Sequence, residues 1–315
     1  MSDLLRHVFR RGDSLRTPWR LLLFVTIFGM VLIAEFVIIV LYLEFFDSHF
    51  LAMVKAYRHA HTRIGPGFVL VQEIPTIIAY FAALSGLARI ERRRIRDYFL
   101  DGPRLWPLML GFFWGFALLN MLIAILWLDG KITITLADHG TLSILRHGAV
   151  WLIACLCIAF AEENLFRGFL LFTLERAIRF WPAAILLAIG FGLAHGENPG
   201  ETPIGELFAG LYALVICLSI YYTRSLWWAI GYHAAWDWSE SYLYGTADSG
   251  VVSNGRLLTS VPHGNVYLSG GPTGPEGSLF AIVAIVVTAL VIRLTLRNSL
   301  APATEFCLPE NQPLV

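Results

Sequence analysis

The residues with the most chemical capacity in this sequence are acids and histidines set into apolar surroundings. The run Ala161-Glu162-Glu163-Asn164-Leu165-Phe166-Arg167 puts two carboxylates side by side, with a guanidinium following the second. On a helix Glu163 and Arg167 share a face and can pair, while Glu162 points about 100° away toward a different neighbour. One carboxylate is thereby neutralised and the other left free. Of nine histidines, His195 and His233 sit inside or at the edge of apolar segments with no charged loop or chain end to account for them. Asp237 follows His233 at helical spacing, and an acceptor beside an imidazole fixes its tautomer or shares a metal with it. A carboxylate with two imidazoles in a dry cavity suits activation of water. Glu162 takes a proton, one histidine orients the water, and the other stabilises an oxyanion together with Asp237. Amide hydrolysis is the reaction that most needs all three. The sequence holds no HExxH, the helical signature of zinc peptidases. Glu162, His195, His233 and Asp237 are nonetheless a sufficient zinc donor set, so zinc and a metal-free glutamate mechanism both fit these residue types.

The elements that must position these groups are membrane helices. Of 315 residues 57% are hydrophobic and 15% charged, against roughly 45 to 50% and about 25% in soluble proteins, so the surplus apolar surface must face lipid. A hydrocarbon core about 30 Å thick needs about 20 helical residues. That length predicts an all-α, polytopic bundle of about eight transmembrane helices: Leu21 to Phe46, Phe68 to Ala88, Trp106 to Leu128, Gly148 to Leu174, Trp181 to Gly196, Pro203 to Thr223, Ser225 to Tyr244 and Ser278 to Leu294. Glu162 falls about 14 residues, roughly 21 Å, from one end of its span, near the midplane. His195 and His233 fall in the same central band, on two other helices. An ionisable residue there costs roughly 2.5 to 3.5 kcal/mol on insertion scales, so such groups are kept only where they meet one another or water.

Arginines divide cleanly between the two sides. Arg6, Arg10, Arg11, Arg16 and Arg20 precede the first span; Arg89, Arg92, Arg93, Arg94 and Arg96 follow the second; Arg176, Arg179, Arg224, Arg293 and Arg297 flank later ones. The positive-inside rule then predicts a multi-pass protein with both termini cytoplasmic, in the cell inner membrane, leaving Lys55, Arg58 and Arg63 outside. The expected organisation is an N-terminal membrane region over 1–147, a catalytic helix core over 148–244, and a Gly-rich outer loop with the last span and cytosolic tail over 245–315. The stretch after Arg20 is too long for a signal peptide and reads as a retained span. Cys155, Cys157, Cys217 and Cys307 have neither CxxC spacing nor a partner in an outer loop, so no disulfide framework is implied. A net charge of zero offers no field to draw nucleic acid, leaving membrane lipid and a peptide or protein substrate as the expected partners.

Glu162-Glu163 to Arg167 matches EExxxR, Phe191 to His195 matches FxxxH, and His233 to Asp237 matches HxxxN/D, in that order and each on its own helix. The chain thereby resembles the CPBP family of intramembrane metalloproteases, the type II CAAX prenyl endopeptidases and bacteriocin-processing proteins, over about Leu145 to Gly245. The resemblance implies that Glu162 with His195 is the general base on water, that His233 and Asp237 line the oxyanion side, and that Glu163, Arg167 and Phe191 support them. Prenyl-protease members usually carry Asn at the place of Asp237. An ionised Asp cannot donate to an oxyanion, so Asp237 is either protonated or bound to His233 or metal. The implied activity is endopeptidase cleavage of a membrane-associated or prenylated CAAX-type substrate.

Two other classes share part of this pattern. Mid-bilayer acids and histidines also serve proton-coupled transporters, which usually show internal repeats; none is visible here. A non-catalytic scaffold or immunity-type partner would use the cluster only to join helices. Glu197, Asn198 and Glu201 in the turn after His195 are candidates for gating, and Glu35 and Glu73 are candidates for substrate contact. Gly111 and Gly115 form a GxxxG that would let another helix approach closely.

Overall fold

The computed structural model describes residues 10–11, 14–47, 52, 63–137 and 141–299. Lys55, Arg58, Arg6 and Cys307 lie outside the described residues. Helices dominate: α1 (Thr17–Phe46), α2 (Pro66–Glu91), α3 (Leu105–Leu128) and α4 (Thr141–Glu162), which runs through a π-helical stretch (Glu163–Leu170) into α5 (Leu171–Ile178). They are followed by α6 (Phe180–His195), α7 (Pro203–Thr223), α8 (Trp227–Trp238), prolonged by a second π-helical turn (Ser239–Tyr244), and α9 (Ala281–Leu296). Every predicted span is helical, with ends displaced by a few residues.

Five helical segments are long and apolar enough to cross a membrane: α1, α2, α3, Ile144–Ile178 and α7. The chain is therefore a polytopic helical membrane protein. Five of the eight expected spans are of this length, and the other three correspond to shorter helices. Among the described residues α6 and α9 have 16 residues each, about 24 Å of helix against a hydrocarbon core of about 30 Å. The first stops at the turn Gly196-Glu197-Asn198-Pro199-Gly200, and the second starts only after the Pro275–Gly277 turn.

The fold also departs from purely helical. Strand β1 (Ile132–Leu136) pairs antiparallel with β4 (Leu258–Pro262), Ile132 opposite Pro262 and Leu136 opposite Leu258. Between them in sequence, β2 (Ala247–Asp248) and β3 (Val251–Val252) form a small hairpin. Thr133, Thr135, Val251 and Val252 are β-branched, which favours these extended pairings; β2, β3 and β4 lie within the segment expected to be a Gly-rich outer loop.

Lipid-facing and packed surfaces separate clearly. Helix α1 leaves Ile33, Phe36, Ile38 and Phe45 uncovered, Phe45 being 79% exposed, as a helix bordering acyl chains does. Behind it Phe24, Tyr80, Leu84, Leu87 and Phe169 form one core between α1, α2 and the π-helical stretch, while Leu119, Leu122, Trp228, Tyr232, Ala284 and Ile292 form another between α3, α8 and α9. At the arginine-rich end, buried Arg20 meets buried Glu91 at 3.0 Å and Arg93 approaches the same carboxylate at 3.6 Å. Arg224 pairs with Glu175 at 2.8 Å, joining the end of α7 to α5.

The GxxxG does bring a helix close, and the helix is α8, which carries His233. A Cβ on Gly111 would run into the Trp228 carbonyl, one on Gly115 into that of Tyr232, and one on Gly231 into that of Leu108. The absence of side chains at these points lets the two backbones touch, which sets the depth and rotation of α8.

Candidate active site

The end of α4, the π-helical stretch, α6 and α8 converge on a cavity of about 1370 Å³ lined by Glu162, Glu163, Arg167, Phe191, His195, His233 and Asp237, with Glu73 from α2. Its apolar side runs between α1 and α2 along Phe36, Ile39, Val40 and Val71. Every predicted site residue thus lines one cavity.

Glu163 is the hub. Its Oε1 accepts from Arg167 in the predicted ion pair and also from His233 Nδ1 at 2.9 Å, with 1% of the glutamate side chain exposed. The Arg167 guanidinium also lies 4.7 Å from the centre of the Phe191 ring, and its Nε donates to the Ala213 carbonyl. Both charges are thereby paired and largely satisfied, as burial demands. The pairing places Glu163 in a second role that helical spacing alone does not suggest: it holds Nδ1 of His233 and so orients the ring. Because a carboxylate only accepts, Nδ1 donates, and Nε2 is the nitrogen turned to the cavity.

Nε2 of His233 lies 3.5 Å from Asp237 Oδ2 and 3.8 Å from Glu162 Oε2. Glu162 keeps 30% of its side chain exposed, and its Oε2 makes no hydrogen bond among the described residues. It is the more exposed carboxylate of the pair, but both glutamates approach His233, one at each ring nitrogen, where the helical angle alone predicts different neighbours. Asp237 is 6% exposed and directed at His233.

His195 closes the last turn of α6. Its Nδ1 lies 2.8 Å from the Phe191 carbonyl and so donates to it, which leaves Nε2 free. The Phe191 ring packs 4.4 Å from the His195 ring and 6.5 Å from the His233 ring, centre to centre. One phenylalanine thus backs both imidazoles and the guanidinium.

The donor atoms of Glu162, His195, His233 and Asp237 do not come within 4.8 Å of one another as a group of three or more. This arrangement does not fit a zinc centre, whose ligands crowd within about 2.0 to 2.3 Å of the ion. Among the described residues the one acid group that is so close-set is Glu240, Asp248 and Glu276, a cluster that sequence spacing did not single out. Its signal was there in Glu240, a charge inside an apolar span close behind Asp237. In the turn after His195, Glu197 and Asn198 line the cavity while Glu201 does not. Asn198 Nδ2 donates to the Ser249 carbonyl at 2.9 Å, and Glu201 Oε1 accepts from Thr202 N and Thr273 Oγ1 at 2.8 and 2.9 Å. These residues tie the turn to the outer loop. Glu35 does not line the cavity. Cys155, Cys157 and Cys217 are free.

No curated protein and no solved structure matches the chain at a significant level. Residues 146–239 match the family described as type II CAAX prenyl endopeptidase Rce1-like. The match begins at the start of the α4 span and ends just after α8, so it contains each of the residues gathered around Glu163 and His233. Residues 146–239 are an Rce1-like type II CAAX prenyl endopeptidase (CPBP) family domain.

Proposed function

We propose that this protein is an intramembrane endopeptidase that hydrolyses a peptide bond in a membrane-associated or prenylated CAAX-type substrate with a glutamate-activated water. The observation that carries the reading is the asymmetry of the two adjacent carboxylates. Each has one oxygen without a hydrogen bond among the described residues, but Glu163 is 1% exposed with its other oxygen held by Arg167 and His233, while Glu162 is 30% exposed to the same cavity.

In this reading Glu162 takes a proton from water, and His195, oriented by the Phe191 carbonyl, directs the water from Nε2. His233 acts as the imidazolium, with Nδ1–H held by Glu163, and donates from Nε2 to the oxyanion that forms at the attacked carbonyl, while the nearby Asp237 carboxylate favours that protonated form. Glu162 returns its proton to the leaving amine. The apolar side of the cavity along Phe36, Ile39 and Val40 supports a substrate with a lipid-like group beside its peptide. No step passes through a metal. Residues 148–244 act as the catalytic core, with 1–147 and 245–315 packed around it, and the arginine-rich end with both termini faces the cytoplasm of an inner membrane.

The test is cleavage of prenylated and merely membrane-anchored peptides by purified wild type, Glu162→Gln and His233→Ala. Wild type is expected to cleave and both variants to fail. Equal turnover by wild type and Glu162→Gln would remove the proposed base, and loss of all cleavage across a broad peptide panel would favour a scaffold.

A further inference from the structure

Beside the catalytic cavity lies a second group of acids that the mechanism does not use. Glu240 sits on the π-helical turn after α8, Asp248 on the β2–β3 hairpin, and Glu276 on the Pro275–Gly277 turn, with one oxygen of each within 4.8 Å of the others. All three lie beyond residue 239, outside the matched domain. Glu240 is fully buried at 0% exposure, and neither of its oxygens has a hydrogen-bond partner among the described residues. Asp248 accepts from Ser241 Oγ at 3.0 Å, and Glu276 Oε1 accepts from Ser249 N at 2.6 Å and Ser249 Oγ at 2.5 Å. No lysine or arginine among the described residues forms an ion pair with any of the three.

Three ionised carboxylates this close repel one another, and a cation among them would remove that repulsion. Asp248 and Glu276 are each anchored by a serine, which holds their oxygens in place, while Glu240 presents two bare oxygens to the same point. The donors are all oxygen, with no imidazole or thiolate, which disfavours zinc. Oxygens within 4.8 Å of one another can share one ion, and calcium, which takes about 6 to 8 oxygens in a flexible geometry, accepts ligands from three separate turns more readily than magnesium, which demands a near-ideal octahedron.

We propose that Glu240, Asp248 and Glu276 form an oxygen-only site for a divalent cation, calcium, that clamps the outer loop onto the end of α8. The clamp would join three separate chain segments at the rim of the cavity, which Asp248, Ser249 and Glu276 also line. It does not depend on the peptidase reading.

The test uses full-length protein in detergent, stripped with chelator and titrated with Ca²⁺ or Mg²⁺ while bound metal and thermal unfolding are measured. Wild type is expected to bind one Ca²⁺ per chain and to gain about 5 °C in Tm at saturation, with a smaller response to Mg²⁺. Glu240→Gln, which preserves shape, is expected to lose the bound Ca²⁺ and the shift; Glu162→Gln is expected to keep both. Asp248→Asn serves as the second probe if Glu240→Gln fails to fold. A wild type that binds no Ca²⁺, or a Glu240→Gln that binds it as wild type does, would overturn the site. A Glu240→Gln that is more stable than wild type with no Ca²⁺ effect on either would show that protons neutralise the cluster instead.

Discussion

Glu163 and His233, 70 residues apart in sequence, meet at 2.9 Å where the π-helical stretch faces α8. The contact joins the ion pair with Arg167 to the histidine at the cavity, so the charge that pairs with Arg167 also sets which imidazole nitrogen faces the cavity. π-Helical turns commonly mark functional sites, and here one begins at Glu163 itself.

Glu162 and Glu163 should respond oppositely to neutralisation. Glu162→Gln is expected to lower kcat by about 100-fold to 10,000-fold, with a thermal unfolding midpoint close to wild type. A variant that loses its fold, or one that turns over normally, would contradict the role of a free general base.

Glu163→Ala leaves Arg167 buried without its carboxylate and His233 without its anchor. Removing one partner of a buried pair destabilises by about 3 to 5 kcal/mol, so denaturant or thermal unfolding should show a large loss where Glu162→Gln shows little. Comparable stability of the two variants would mean that the ion pair does not hold the junction.

Asp237→Asn keeps an acceptor for His233 and is expected to retain activity within about tenfold of wild type, a difference of about 1.4 kcal/mol in the barrier. Asp237→Leu removes the acceptor and should lose far more kcat than substrate affinity. If Asn and Leu behave alike in steady-state kinetics, Asp237 does not act through His233.

Gly115→Leu should prevent α3 and α8 from closing and yield protein that aggregates on size-exclusion chromatography, because its Cβ meets the Tyr232 backbone. Gly190→Leu is the matched control, since nothing lies within 4 Å of a Cβ there; it should elute as wild type does. Similar elution of both variants would show that close backbone approach is not required.

Topology gives a fifth outcome. Reporter fusions after Gly130 and at the N-terminus should report opposite sides of the membrane, and the same side for both would reverse the orientation drawn from the arginines.

By itself the sequence determined the medium and the helices, because apolar runs near 20 residues have one stable form in lipid and because arginine placement follows charge, both local properties. It also singled out Glu162, His195, His233 and Asp237 as candidates, because ionisable residues at mid-bilayer are costly enough to be kept only where they meet one another or water. The tertiary structure alone decided how they are connected. Glu163 turned out to hold His233 as well as Arg167, since which atom of a side chain bonds to which depends on helix rotation, and that rotation follows from glycine contacts between α3 and α8. The shortness of α6 and α9, the π-helical turns and the strands within the glycine-rich loop arise from long-range packing and pairing that no local pattern encodes. For the same reason Glu240, Asp248 and Glu276, dispersed in sequence, became neighbours only when three turns folded onto the end of α8.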